Sequence, residues 1–391
     1  MKGSYILFFV FLSACSPALP EPKSEEGLMM QKAAVFLWSK QGADGGWHSV
    51  DHGILRGGQA YTPFILLALM QVPDSIHPVP KKQLNQGLNY IRTHVNANGT
   101  LGLFDPDVME YPNYSTAYAL RVLVKAKLEK DEDLIAKMKR YLIHEQFVED
   151  RGFTENKYEF GGWGFGETNM KPGESEQVDL SHTRRVLQAL RESGVKDEIV
   201  FNSALKFLAL LQKHPDDIRP QPGDSARWKG KVPFDGGFYY SPIQLVMNKA
   251  GRDRGHDSIR PHFISYGSAT ADGLLSLLAA GLTPDSPKVQ QAMNWLIRHD
   301  SWDKNPGISE DNPENWEQVM VLYHASSRAE ALSAMNTSGK WKFDLFRFLK
   351  TQQSSDGSFS NPEGAINKED DPLLGTGLAL NALLAGMKQS Q

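Results

Sequence analysis

Apolar residues recur along most of the chain at the i, i+3, i+4, i+7 spacing that gives a helix one apolar face. This spacing predicts a first set of amphipathic helices, which carry the charged residues: two end at Gln41 and Gln353, and four span 83–95, 134–147, 200–212 and 289–299. A second set is more apolar and rich in Ala, Gly and Ser, and its members begin near Ala60, Ser115, Ser181, Ser268, Glu317 and Gly375. The two sets alternate, which predicts outer–inner helix pairs with the apolar helices inside.

The clearest repeat of this unit lies at the two ends of the helical region. Residues 41–47 and 353–359 both read Gln-x-x-Asp-Gly-x-aromatic directly after an amphipathic helix. Gly ends such a helix because it adopts the left-handed conformation without steric cost. We expect the aromatic ring to fold back over the helix end and the Gln amide to hydrogen-bond the freed backbone groups.

The number and similarity of these units predict the fold. Six outer–inner pairs in an open array would leave two bare ends that need polar caps, yet here the first and last units match each other best. The sequence therefore predicts an all-α, α6/α6 toroid over residues 28–388, a closed ring of six helical hairpins.

The composition of the chain limits the kinds of partner that the predicted ring could bind. The net charge is −4 over 391 residues, so no basic excess favours nucleic acid. The glycines are spread over the repeat turns, and the sequence contains no Gly-rich phosphate loop. We therefore expect no cofactor and no nucleic acid, and a monomer whose partner is a small-molecule ligand.

The N-terminal segment predicts the cellular location of the protein. Residues 1–14 combine Lys2 with a short apolar stretch, as in a secretion signal, and the following Cys15 is the only cysteine of the chain. Because Leu-Ser-Ala-Cys resembles a bacterial lipobox, we expect lipidation at Cys15 and a flexible linker over 15–27. The lipid would be the only membrane contact, in the cell envelope and facing the periplasm from the outer membrane. The alternative is an ordinary signal peptide with an incidental cysteine.

The repeat motifs resemble those of a known superfamily. The Gln-x-x-x-Gly-x-Trp/Phe motif at 41–47 and 353–359 is similar to that of squalene–hopene cyclases, and 235–242 and 265–278 resemble bacterial squalene-cyclase-like, prenyltransferase-repeat proteins. The resemblance covers about residues 27–386. It implies a toroid whose cavity binds a hydrophobic or amphipathic, isoprenoid-like ligand, with acid-initiated cyclase or isomerase activity as the enzymatic possibility. Protein prenyltransferase activity is excluded in its known form, because it requires a zinc-binding cysteine on the ring, and no metal site is predicted.

The resemblance also suggests candidate acids. Squalene-type cyclases protonate an alkene with an Asp-x-Asp-Asp motif, and its nearest counterpart here places Asp370 and Asp371 before the last inner helix. Lys368 stands where the first Asp belongs, and a cation there would keep the carboxyls ionised. The alternative is that one aspartate caps the helix that follows, with Pro372 in its first turn.

The remaining candidates lie near the starts of inner helices. His182, beside Asp179, is a candidate catalytic group, and with Asp371 and His324 it could form an acid–base or metal set at the mouth of the ring. The candidate ligand-binding residues are Tyr239, Tyr240, Tyr266, Trp316, Tyr323 and His324. The alternative is packing between helices for the aromatic residues, and a satisfied core or capping position for the two histidines. Two other functions stay open: a glycan-acting α6/α6 barrel enzyme and a non-catalytic scaffold in the cell envelope.

Overall fold

The computed structural model describes residues 19–103, 110–166, 171–174, 177–224, 230–256 and 258–388. The predicted signal peptide at 1–14 and the lipidation candidate Cys15 lie outside the described residues. None of the described helices is both long enough and apolar enough to cross a membrane.

Two sets of helices alternate along the chain, as the hydrophobic pattern predicted. The outer set is α1 (Glu25–Ser39), α3 (Lys81–His94), α5 (Glu132–His144), α7 (Glu198–Leu211), α9 (Pro287–Arg298) and α12 (Trp341–Gln352). The inner set is α2 (Tyr61–Leu69), α4 (Pro112–Ala126), α6 (Leu180–Glu192), α8 (Gly267–Ala279), α11 (Val321–Ala334) and α13 (Pro372–Met387), with the short α10 (Trp316–Val319) leading into α11. Short 3-10 helices lie at Gly53–Leu55, Glu129–Asp131, Glu149–Arg151, Leu245–Met247 and Pro362–Asn367.

The inner helices form a closed ring. Each of α2, α4, α6, α8 and α11 packs against the next inner helix, and α13 packs back against α2. The first outer helix, α1, also packs on α13, so the two ends of the helical region meet. The predicted α6/α6 toroid is thus confirmed.

A glutamine at the end of an outer helix links neighbouring units in four places. The Gln41 amide donates to the carbonyls of Gly45 in its own turn and of Gln83 in the next outer helix, both at 2.9 Å. Gln353 does the same at the end of the ring, donating to Gly357 at 3.1 Å and to Met29 of α1 at 2.9 Å. Gln146 and Gln212 repeat this arrangement. The expected bonds to the turn are present, and each amide additionally ties one hairpin to the next.

The turns also depend on their glycines and on a threonine that the sequence pattern did not reveal. Gly357 has a φ of 90°, and an added Cβ would lie 2.5 Å from the carbonyl oxygen of Lys32. The backbone N–H that follows the turn donates to a threonine hydroxyl of the inner helix, as Phe359 does to Thr376 at 2.9 Å. The same bond recurs at Thr62, Thr116, Thr183 and Thr270. Each threonine therefore ties the turn that follows an outer helix to the next inner helix.

Two local features differ from the sequence prediction. Helix α1 begins at Glu25, inside the segment predicted as a linker, because the Ser24 hydroxyl accepts the Gly27 N–H at 3.1 Å and caps it. Two small antiparallel pairs also interrupt the all-helical pattern. β1 (Trp163–Gly164) pairs with β2 (Val178–Asp179), and β3 (Arg252–Asp253) pairs with β4 (His262–Phe263). The β1–β2 pair sets the position of Asp179 at the start of α6.

Candidate functional site

A cavity of about 250 Å³ lies inside the ring, where the inner helices begin. We call it the ring cavity. All six inner units contribute to its lining, through Tyr61, Tyr114, His182, Ser268, Tyr323 and Leu374. The inner-helix starts therefore surround one cavity, in the region where the sequence analysis placed the candidate site.

Most of the lining is apolar or aromatic. The aromatic residues are Tyr61, Phe64, Tyr111, Tyr114, Phe165, Tyr240, Tyr266, Trp316 and Tyr323. The larger aliphatic residues are Leu55, Met247, Met320, Ile366, Leu374 and Leu378. Such a surface suits the apolar body of a ligand.

Several tyrosine hydroxyls have polar partners at the edge of the ring cavity. Tyr323 donates to Asp272 at 2.7 Å, and burial together with the Asp272 charge raises the pKa of this phenol. Asp272 also accepts a hydrogen bond from Arg184 at 2.5 Å, and Arg184 bonds Glu330 in turn. Asp272 lies one helical turn beyond Ser268 on α8 and is the member of this ionic cluster that lines the ring cavity.

His182 and Asp179 form a buried pair on one side of the ring cavity. Asp179 caps α6 by accepting the His182 N–H at 2.9 Å, and its other oxygen bonds the His182 Nδ1 at 2.8 Å. Burial alone would raise the pKa of Asp179, but the neighbouring His182 and its hydrogen bonds hold it at about 2. Asp179 is therefore a carboxylate near neutral pH, and it orients the imidazole with the proton on Nδ1.

The other nitrogen of this imidazole is unsatisfied. His182 Nε2 is buried and has no hydrogen-bond partner among the described residues. The ring lies between cavity-lining aromatics, with centroid distances of 6.0 Å to Tyr111, 5.7 Å to Tyr114 and 4.9 Å to Phe165. A buried polar atom without a partner is unfavourable unless a ligand completes it, so Nε2 is suited to a ligand group in the ring cavity.

Lys249 is a second polar group on the same side, and the sequence did not reveal it. Its Nζ lies 4.7 Å from the ring centroids of both Tyr240 and Trp316. Burial lowers the pKa of Lys249 to about 8, although the charge of Asp179 opposes this effect. Gln177 completes the group by donating to Asp179 at 3.0 Å and to the Tyr240 hydroxyl at 3.3 Å. We call Gln177, Asp179, His182, Tyr240 and Lys249 the polar wall.

The aspartates of the acidic motif occupy structural positions. Asp371 caps α13 by accepting the Leu373 N–H at 2.8 Å, and its other oxygen accepts the hydroxyls of Ser49 at 2.5 Å and Tyr61 at 3.1 Å. Asp370 pairs with His52 at 2.9 Å. Neither aspartate lines the ring cavity, although Tyr61 connects Asp371 to its edge. The capping alternative therefore describes Asp371.

The residue before them, Glu369, is buried and was not singled out from the sequence. Its carboxyl accepts the N–H groups of Leu322 at 3.0 Å and Tyr323 at 2.7 Å and the Asn361 amide at 3.1 Å. Burial raises the pKa of Glu369 to about 7, against the effect of these bonds. Glu369 thus caps the start of α11 from the neighbouring unit.

The structure brings five of the predicted candidates together and places the others elsewhere. His182, Tyr240, Tyr266, Trp316 and Tyr323 all line the ring cavity. Tyr239 instead packs on Phe263 in the protein interior, with ring centroids 5.1 Å apart. His324 lies on α11 but outside the cavity lining, where its Nε2 bonds the Ser301 carbonyl at 3.0 Å and burial lowers its pKa to about 3.

We therefore remove Tyr239 and His324 from the candidate site. Tyr239 precedes Tyr240 directly, and neighbouring residues in an extended segment point to opposite sides, so only one of the two reaches the ring cavity. The expected convergence of His182, His324 and Asp371 does not occur. No group of three or more potential metal ligands is found among the described residues.

Comparison with known proteins finds no matching family model and no curated protein of similar sequence. Solved structures do share the fold. The type II terpene cyclase MstE from Scytonema, in complex with its substrate geranylgeranyl dihydroxybenzoate, is 13% identical, aligns over 92% of this chain and 97% of its own, and has a TM-score of 0.55. An alpha-amylase from Clostridium perfringens is 10% identical, with coverages of 94% and 100% and a TM-score of 0.55. A glycoside hydrolase family 76 mannosidase from Bacteroides thetaiotaomicron is 11% identical, with coverages of 93% and 99% and a TM-score of 0.54.

These similarities establish the class of fold. The chain is an α/α toroid, the fold that it shares with a terpene cyclase and with glycan-acting enzymes. At such identities the shared fold does not transfer an activity, so function is argued from the ring cavity itself.

Proposed function

We propose that the ring cavity binds an amphipathic, isoprenoid-like small molecule and that His182 acts on its polar end as a general acid–base group. The observation that carries this proposal is the composition of the lining: aromatic and aliphatic side chains cover most of it, and Gln177, His182, Tyr240 and Lys249 of the polar wall add neighbouring polar groups. A ligand with an apolar body and one polar end matches both parts. The terpene cyclase MstE, whose structure holds a geranylgeranyl compound, offers a precedent for such a ligand in this fold.

The Asp179–His182 pair supports the catalytic part of the proposal. With the proton on Nδ1 directed at Asp179, the free Nε2 can accept a proton from a ligand group within reach. The Asp179 carboxylate would stabilise the imidazolium that forms, which makes the return of the proton to another atom of the ligand feasible. The reaction class is therefore an isomerisation or elimination that begins with proton removal.

Acid-initiated cyclisation receives less support from the same geometry. Protonation of an alkene needs a protonated carboxyl in an apolar pocket, whereas Asp371 accepts three hydrogen bonds, as suits a carboxylate. Lys249 and Lys368 both line the ring cavity, and their positive charges would oppose a carbocation. We therefore favour His182 over Asp371 as the proton-transferring group.

A glycan-acting enzyme is also less well supported. Glycosidases generally use two carboxyl groups that flank the scissile bond. Among the described lining residues Asp272 is the only acid, and it is already paired with Arg184 and Tyr323. The amylase and the mannosidase show that glycan-acting enzymes can have this fold. The described lining of this ring cavity, however, does not offer the two carboxyl groups that glycoside hydrolysis generally uses.

The ligand-binding part of the proposal is tested with purified protein and a bacterial lipid extract. After soaking and washing, mass spectrometry should identify an apolar-bodied compound retained by the wild-type protein. Ala269→Leu, which adds volume to the cavity wall, should abolish retention, and Ala43→Leu at an exposed turn should leave it unchanged. Retention of nothing apolar, or equal retention by both variants, would contradict the proposal.

The catalytic part is tested on the retained compound. His182→Gln keeps the polar character of the side chain but removes the acid–base group, so the variant should still bind the compound while the wild-type conversion falls at least about 100-fold. Binding is followed by mass spectrometry of the retained compound, and conversion by the product profile over time. An identical product profile from the variant would exclude His182 as the acid–base residue.

A further inference from the structure

The backbone around Lys249 is held rigidly on both sides. The Asn248 amide accepts the N–H groups of Tyr240 at 2.9 Å and Ser241 at 3.0 Å and donates to the Ser241 carbonyl at 2.8 Å. On the other side, the Lys249 carbonyl accepts the Asn312 amide at 3.0 Å. This segment therefore presents the Lys249 side chain to the ring cavity in a defined position.

The charge of Lys249 lacks a close counter-ion. The residue is only 6% exposed and its Nζ lies between the faces of Tyr240 and Trp316, yet no carboxylate among the described residues forms a salt bridge with it. Cation–π contacts offset part of the cost of removing an ammonium group from water. A buried charge is nevertheless normally paired, and in this respect Lys249 differs from Arg184, which bonds two carboxylates.

The surroundings of Lys249 determine what could supply the missing charge. Asp272 is the only acid in the described part of the lining, and it is already bonded to Arg184 and Tyr323. Besides the tyrosines, the other polar or charged lining residues outside the polar wall are Ser181, Ser268, Asn367 and Lys368. Asp179, the nearest acid in electrostatic terms, already accepts four hydrogen bonds, two from His182 and one each from Gln177 and Ser181. A counter-charge that enters with the ligand would complete the site.

We propose that Lys249 is the head-group recognition residue of the ring cavity and that it selects an apolar-bodied ligand ending in an anionic group, a carboxylate or a phosphate. The inference rests on the proposed ligand-binding function and makes its ligand class specific. The anionic head binds the Lys249 ammonium between Tyr240 and Trp316, and the apolar body lies against the aromatic and aliphatic walls. His182, on the same wall, then faces the atoms next to the head group.

The test compares two probes that differ only in the head group. Binding of dodecanoic acid and dodecanol to the purified full chain is measured by isothermal titration calorimetry at pH 7. The wild-type protein should bind the acid at least about tenfold more tightly than the alcohol, because a hydrogen bond between charged groups in a buried site is worth that factor or more. Dodecyl phosphate, measured in the same way, separates a phosphate preference from a carboxylate preference, and preference for either anion supports the proposal.

Variants then locate the preference at Lys249. Lys249→Met keeps the length and apolar stem of the side chain, so the acid should lose about tenfold or more in affinity while the alcohol changes by less than about twofold. Lys249→Arg keeps the charge and should keep most of the preference. The control is Lys40→Met, since Lys40 is exposed, is not among the lining residues and contacts one aromatic ring, that of Phe36, at 5.2 Å. It should leave the affinities for the acid and the alcohol unchanged.

The outcomes separate this inference from the proposed function. Equal binding of acid and alcohol by the wild-type protein, or an equal loss of both in Lys249→Met, overturns the role of Lys249 and leaves the apolar pocket intact. Binding of none of the three probes overturns the proposed function and this inference with it.

Discussion

The contact between the first and last units of the toroid can be tested through Gln353. Its amide donates to the Met29 carbonyl of α1 at 2.9 Å and to the Gly357 carbonyl at 3.1 Å, and so joins the end of the ring to its beginning. Gln353→Met keeps the length and roughly the volume of the side chain but removes both donors. The Gly357 carbonyl then loses its partner in a half-buried position, and the Met29 carbonyl keeps only its bond within α1.

The magnitude follows from these two bonds. Leaving a buried acceptor unsatisfied costs about 1–3 kcal/mol, and because Gln353 is only half-buried, the lower part of that range applies to the Gly357 carbonyl. The lost bond to Met29 adds about 1 kcal/mol. We expect a total loss of about 2–3 kcal/mol in the free energy of unfolding. With an unfolding entropy of about 2.1 cal/mol/K per residue, this corresponds to a fall in Tm of about 2–4 °C.

The assay combines thermal unfolding with hydrogen exchange. Circular dichroism gives the change in Tm, and mass spectrometry should show faster amide exchange in α1 and in the turn after α12 than in the opposite hairpin. The control is Lys350→Met, which removes the ion pair to Glu25 across the same junction. Both side chains are mostly exposed, 61% and 74%, so this pair contributes less than about 1 kcal/mol. An unchanged Tm in Gln353→Met, or a fall as small as that of the control, would refute the role assigned to Gln353.

Two further predictions concern buried groups of the same ring. Burial in the folded state raises the pKa of Glu369 to about 7, so the folded protein binds this proton more tightly than the unfolded chain does. The stability that this group contributes is fully present below about pH 4.5. It is lost as the pH rises to about 7, which lowers the free energy of unfolding by about 3 kcal/mol. Glu369→Gln should flatten the Tm–pH profile over that window, and identical profiles would contradict the assignment. In urea unfolding, Gly357→Ala should lower the free energy of unfolding by at least about 1 kcal/mol more than Gly339→Ala does. Both glycines have a positive φ, but only a Cβ at Gly357 would clash with a carbonyl oxygen. Equal losses of stability in the two variants would exclude this clash.

The toroid could be predicted from the sequence because its determinants are local and repeated. The glycine-containing turns indicate where the outer helices end, and the similarity of the Gln-x-x-Asp-Gly turns at Gln41 and Gln353 led to the prediction that the two ends meet. The hydrogen bond from the turn to an inner-helix threonine, as at Thr376, was not predicted. A threonine near a helix start forms no recognisable sequence pattern with the turn that it binds, because only the fold brings the two together.

The site was only partly predictable for a related reason. His182 could be found because Asp179 lies three residues before it, at the spacing of a helix cap. Lys249 could not be found, since its aromatic partners Tyr240 and Trp316 are far apart in sequence and come together only where the segment that carries Lys249 packs against residues 312–316. Asp371 resembled a catalytic acid in sequence, but the structure gives it the hydrogen bonds of a helix cap.

The closed ring also affects how the protein can come apart. A linear repeat array has two terminal units, each with a single neighbour, and it can unravel from either end one unit at a time. In this toroid every hairpin has a neighbour on both sides, so the first hairpin to detach must break two interfaces at once. No single hairpin can therefore detach at a low cost in free energy, and we expect the six hairpins to unfold together in one cooperative transition.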